Sequence, residues 1–157
     1  MAVELSRESR EQIEQLIERY PTRRAVMLPA LHIVTKEFQL LDDDVCQAVA
    51  DVLQLPMVDV KGVATFYDMF PTEPRGKHQL LVCINLPCAL NGGRRVLRYL
   101  EGKLGIQAGE TTPDGRCTLK GLECLAACDR APMMYVNEDL HGELTEDKLD
   151  QLLGGLT

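Results

Sequence analysis

Along the first seventy or so positions, apolar residues recur three and four apart. Ile13, Leu16, Ile17 and Tyr20 fall at i, i+3, i+4 and i+7, which predicts one buried face of an amphipathic helix. Ser9 and Gln12 fit a capping box at its start, and Pro21 follows its end. Met27, Ala30, Leu31 and Val34 repeat the pattern, and Pro29 requires that helix to begin nearby or to kink. Asp42 to Asp44 supply N-cap and dipole-compatible charge for a third helix, with Val45, Ala48, Val49 and Val52 as its inner face. Pro56 suits the first turn of a fourth, which runs to about Tyr67. Four short helices on short connections predict a small helical bundle.

The pattern changes after Pro71–Lys77, a stretch with the Pro and Gly content of a linker. Gln79–Ile84 is a short apolar run of the kind that forms a buried strand. Val96, Leu97, Leu100 and Leu104 mark a helix ending at Gly105. Pro113, Asp114 and Gly115 make a turn into a strand at Cys117–Leu119. A strand at Met133–Val136, a turn at Asn137–Asp139 and a weak strand around Leu140 follow. Thr145 then caps a last helix carrying Leu149, Leu152 and Leu153. The order β-α-β-β-β-α is that of a small thioredoxin-like sandwich. The fold class expected is therefore α+β, with a helical bundle over residues 1–75 and a thioredoxin-like domain over residues 76–157.

Composition narrows the function. Seventeen basic residues against twenty-four acidic ones leave a net charge of −7. The split is −5 over residues 1–75 and −2 over the rest. An acidic chain with no basic stripe argues against nucleic acid. No apolar run reaches the ~20 residues of a membrane span, so no direct membrane insertion is expected. The charged start resembles neither a signal nor a transit peptide, so a cytoplasmic location is expected. In that compartment cysteines are more often metal ligands or catalytic groups than disulfides, and the chain has six.

Four of the six form two short-spaced pairs, Cys83 and Cys88 as C-x4-C, Cys124 and Cys128 as C-x3-C. Four thiolates on two loops can hold a metal centre, and soft thiolates suit an iron–sulfur cluster. Small and apolar neighbours such as Leu86, Pro87, Leu90, Ala126 and Ala127 could exclude water there. A zinc site of four cysteines stays open, although zinc knuckles more often use C-x2-C. The C-x-x-C of a dithiol oxidoreductase is absent. Cys46 and Cys117 read as packing residues. His32, His78 and His141 read as ordinary histidines. Arg94, Arg95 and Arg98 could dock an acidic partner or form a solvated helix face.

The segments "VCINLPC" and "LECLAAC", with "GVATFYDMF" at Gly62–Phe70, "TPDGRCTL" at Thr112–Leu119 and "CDRAPMMYVN" at Cys128–Asn137, resemble the thioredoxin-like [2Fe-2S] ferredoxin component of respiratory NADH:quinone oxidoreductase, its E subunit. The resemblance covers roughly residues 13–153. It implies one [2Fe-2S] cluster held by Cys83, Cys88, Cys124 and Cys128. FMN and NADH would then sit only on a partner, the F subunit, within the peripheral arm of a complex on the inner face of a bacterial membrane. The same module serves NAD-linked hydrogenases and formate dehydrogenases, so that context stays open. A cluster of four thiolates, two sulfides and two ferric ions carries about −2, and about −3 when reduced. The helical part is expected to dock onto the flavoprotein, with Val63–Phe70 as a contact or interdomain seam, or else as bundle core.

Overall fold

The computed structural model describes residues 3–156. The chain divides into two compact units, residues 1–74 and 75–157.

In the first unit four helices enclose one apolar core: α1 (Arg7–Arg19), α2 (Met27–Val34), α3 (Asp43–Leu53) and α4 (Met57–Phe66). A 3-10 turn at Arg23–Val26 leads into α2. Pro29 therefore lies in the first turn of α2, where its missing N–H has no intrahelical partner to lose, and the helix begins beside it instead of kinking. Asp42 caps α3 by accepting from the Val45 amide at 2.9 Å. The inner face of α3 is Val45, Cys46, Ala48, Val49, Ala50 and Leu53; Val52, expected inside, is only half-buried. Four residues after Val49 bring Leu53 squarely back to the core side, while Val52 sits at its flank. The Val63–Phe70 segment is core only in part: Ala64 and Phe70 are buried, whereas Phe66 is 77% exposed and Met69 is exposed.

The start of α1 corrects the sequence reading. Its N-cap is Ser6, whose hydroxyl accepts from the Ser9 amide, and not Ser9. Ser9 is buried inside the first turn, and Gln12 bonds Glu8 instead of closing a box. Glu37, twenty-eight or more positions away, takes the place of the box. Its carboxylate accepts from the Ser6 amide, the Ser6 hydroxyl and the Ser9 hydroxyl. A local capping rule misses this because the acceptor arrives from beyond the end of α2.

The second unit is a four-stranded sheet in the order β2-β1-β3-β4. β1 (His78–Cys83) pairs in parallel with β2 (Cys117–Leu122), in register from His78 opposite Cys117 to Cys83 opposite Leu122. β3 (Met134–Val136) and β4 (Asp139–His141) extend the other side as an antiparallel hairpin. The chain enters α5 (Leu86–Leu90) after β1 and then α6 (Gly93–Leu104). A parallel pair needs a crossover, and α6 provides it. Gly105 ends that helix in the left-handed conformation, φ 68°. Alternate residues Leu80 and Val82, Cys117 and Leu119, and Met134 and Val136 share one core with α6 and the last helix, α7 (Glu146–Gly155). The opposite alternation sends Cys83 to the other side, into a smaller cluster with Cys88 and Met133.

The residues that read as a linker are anchored at both ends. The Leu41 amide bonds the Pro71 carbonyl, and the Gly76 amide bonds the Thr118 hydroxyl at 2.7 Å. A Cβ at Gly76 would stand 2.9 Å from the backbone of Cys117, so only glycine fits beside that strand start. Among the described residues no helix is long and apolar enough to cross a membrane.

The Glu37 contact is testable. Burial pushes its carboxyl pKa up, but hydrogen bonds from Ser9 and Ser6 pull it down and win. A depressed folded pKa means the contact stabilises fully above the ordinary glutamate pKa and is lost as pH falls through the folded value. Glu37→Ala should cost at most about 1 kcal/mol, because the side chain is largely exposed and water competes. Thermal melts should show a drop of about 2–4 °C at neutral pH that shrinks in acid.

Candidate metal centre

The two strands that pair in parallel end side by side, so the segments that follow them emerge at one end of the sheet. Cys83 is the last residue of β1, and Cys124 lies two residues beyond the end of β2. Open sheets bind ligands at such carboxyl ends. Between the members of the first pair begins the short helix α5, which the hydrophobic pattern did not announce. Its signal was local: the Asn85 side chain accepts from the Leu86 amide, and Pro87 follows in the first turn. Cys88 sits on the inner side of α5. On its outer side, Leu86 and Leu90 are 67% and 78% exposed, so they do not shield the cysteines as expected.

Cys83 and Cys88 are brought together. They are 4% and 1% exposed, and Cys83 lies close enough to Cys88 to raise its pKa. Met133 holds both through its backbone: its carbonyl accepts from the Cys83 amide at 3.1 Å, and its own amide points at the Cys88 sulfur. Gly93 completes the corner. A Cβ there would lie 2.7 Å from the Cys83 carbonyl oxygen and 2.9 Å from that of Cys88, so the start of α6 packs directly on the backbone of both cysteines. Neither Met133 nor Gly93 carries a signal in sequence, because each acts through its main chain.

The second pair is more open. Cys124 and Cys128 are exposed, the latter opening a 3-10 turn, Cys128–Arg130. The Cys83 thiol reaches the Glu123 carbonyl at 4.0 Å, which puts the first pair against the second loop. Cys128 is close enough to Cys88 to raise its pKa electrostatically. Cys124 is turned to its own loop and accepts from the Ala126 amide at 3.4 Å. Ala126 achieves this at φ 58°, the left-handed region that an alanine adopts only at a cost of about 1 kcal/mol. The 142–144 segment clamps this loop from behind. The Glu143 and Leu144 amides bond the Arg130 and Pro132 carbonyls, and a Cβ at Gly142 would collide with Arg130.

The four cysteines thus lie on two adjoining segments at one end of the sheet, as a buried pair and an exposed pair. Among the described residues, no three Cys, His, Asp or Glu side chains surround a single point closely enough to hold a lone metal ion. The donor chemistry, four thiols on two adjoining loops, fits an iron–sulfur cluster. Cys46 and Cys117 lie elsewhere, both buried in apolar cores. His32 is exposed, with its ring 5.1 Å from that of Phe70.

Charge is controlled as tightly as position. Burial raises the Cys88 pKa to about 11, helped by the Cys83 contact and opposed by the Met133 amide. In the metal-free chain Cys88 is therefore a protonated thiol at neutral pH, and metal loading must expel that proton. Alkylation of metal-free protein followed by peptide mass mapping should label Cys124 and Cys128 well before Cys46, Cys83, Cys88 and Cys117; early labelling of Cys88 would contradict the arrangement. Ala126→Gly should change the melting temperature little, since relief of the left-handed strain and the extra freedom of the unfolded chain are each about 1 kcal/mol. Ala126→Val, β-branched in the same conformation, should destabilise the loop by more than about 1 kcal/mol, read as a lower Tm.

The chain is similar to known proteins over most of its length. The family model of thioredoxin-like [2Fe-2S] ferredoxins matches residues 13–157. One of the E subunits of the NADH-quinone oxidoreductases of Rhizobium meliloti, numbered 2, is 48% identical over 144 residues, covering 92% of this chain and 86% of the relative. The E subunit of the Escherichia coli NADH-quinone oxidoreductase is 42% identical over 152 residues, covering 97% and 92%. A crystal structure of an air-oxidized NAD+-reducing [NiFe]-hydrogenase superposes on 83% of this chain and 22% of its own at a TM-score of 0.72, with 23% identity, a likeness of fold. The chain belongs to the thioredoxin-like [2Fe-2S] ferredoxin family.

Proposed function

We propose that this chain is the electron-carrying E subunit of an NADH:quinone oxidoreductase, with its [2Fe-2S] cluster on Cys83, Cys88, Cys124 and Cys128. The observation that supports the ligand set is the placement of the two cysteine pairs on the segments that leave the carboxyl ends of two parallel strands. The cluster supplies one-electron chemistry. The chain supplies everything around it. The Met133 and Ala126 amides, directed at sulfur, favour added negative charge and raise the reduction potential. Glu123 and Asp129, each adjacent in sequence to a ligand, act in the opposite sense. Burial of Cys83 and Cys88 keeps water from one side of the site, while the exposed Cys124 and Cys128 face outward, where electrons enter and leave.

A one-electron carrier needs a donor. NADH and FMN belong to the partner, the F subunit, and this chain has no dinucleotide fingerprint of its own. The complex would hold the chain in its peripheral arm on the cytoplasmic face of the membrane. A second reading, the equivalent component of an NAD-linked hydrogenase or formate dehydrogenase, draws on the fold likeness to the NAD+-reducing hydrogenase. The 42% and 48% identities to E subunits favour the first.

Purified protein should be reddish-brown, contain two irons and two acid-labile sulfides, and give a spin-half signal on dithionite reduction. One zinc without sulfide would refute the cluster assignment. Serine at position 83, 88, 124 or 128 should lose or badly destabilise the cluster, whereas Cys46→Ser should keep its visible spectrum.

A further inference from the structure

Beside the cysteine corner lies a surface that breaks two local rules. Leu86 and Leu90, one turn apart on α5, hold their side chains in water while Cys88 between them is buried. Two residues after α5, the helix α6 begins with Arg94 and Arg95 close behind Gly93, followed by Arg98, all three exposed. The first turn of a helix is the positive end of its dipole and disfavours cations; α6 has no acid there to compensate. None of the three guanidinium groups has a hydrogen bond or ion pair among the described residues, in a chain that carries a net −7. At about 100° per residue they share the side of α6 opposite its buried stripe of Gly93, Val96 and Leu100. They are thus turned away from the buried stripe of α6.

We propose that Leu86 and Leu90 with Arg94, Arg95 and Arg98 form the seat of the redox partner, a protein surface with an apolar centre and an acidic rim. The inference rests on the electron-carrier reading above and deepens it. Electron transfer requires close approach to the cluster, and this surface adjoins it: Gly93, between Leu90 and Arg94, packs on the carbonyls of both Cys83 and Cys88. Exposed leucines with no neighbour to cover them supply a desolvated centre, and unpaired cations supply orientation and steering. The partner's matching charge is acidic because the patch is cationic in an otherwise acidic chain. A polyanionic nucleic acid fits less well, since no aromatic side chain lies among the five.

The test uses the full chain, its cluster verified by visible absorbance and acid-labile sulfide, and the FMN-carrying F subunit of the same organism. Association is measured at ~50 mM and ~500 mM salt, where the Debye length falls from ~14 Å to ~4 Å. Arg94→Glu/Arg95→Glu/Arg98→Glu should weaken binding at least about tenfold at low salt, with a much smaller effect at high salt. Leu86→Ser/Leu90→Ser should weaken it by a similar factor at both. Cluster-loaded variants that bind within about twofold of the unmodified chain would overturn the docking surface. Should charge reversal itself cost the cluster, Arg94→Gln/Arg95→Gln/Arg98→Gln carries the same two outcomes. An unmodified chain without iron and sulfide would instead overturn the carrier reading on which the surface rests.

Discussion

The parallel pairing of β1 with β2 is the constraint on which the rest of the second unit depends. Parallel strands end at the same edge of a sheet, so two segments 36 positions apart in sequence, Cys88 to Cys124, leave the sheet as neighbours. The same pairing demands a crossover, which becomes α6, and α6 in turn presses Gly93 onto the backbone of the first cysteine pair. β3 then completes the corner from the other side, where Met133 binds Cys83 and Cys88 through its main chain. A register slip of one residue would turn Cys83 into the main core and Val82 out of it.

Electrostatics divides the corner into two functional sides. The inner side is dry and keeps Cys88 protonated until a metal replaces the proton. The outer side is open, with exposed thiols, exposed leucines and cations that are unpaired among the described residues. The acidic excess is concentrated in residues 1–75. Residues 76–157 by themselves carry only −2 before any cluster is counted.

Much of the fold was legible because it is built from periodic faces. Ile13, Val49, Leu80, Leu100 and Leu149 all lie in the cores their spacing predicts. What escapes the pattern is non-local or backbone-borne. The cap of α1 lies at Ser6 and not Ser9 because Glu37, brought by tertiary folding, satisfies the first turn. The α5 helix is five residues, too short for a hydrophobic period to register. The shielding expected of Leu86 and Leu90 fails because a helix that buries Cys88 must turn its neighbouring faces outward. The cysteine spacing points to the corner, but not to Met133, Gly93 or Gly142, whose contributions are main-chain bonds and the absence of a methyl group.

The crossover also sets an order in time. Cys128 lies forty positions after Cys88. At a synthesis rate of about 5–20 residues per second, the first pair leaves the ribosome roughly 2–8 s before the second. For most of that interval β1 has no β2 beside it and α6 has only one strand to pack on. The remaining walls around Cys83 and Cys88 arrive later, with β2, Met133 and the loop carrying Cys124 and Cys128. The nascent chain therefore displays two accessible thiols that the finished protein hides, and its vulnerability to oxidation is greatest before the fold is closed.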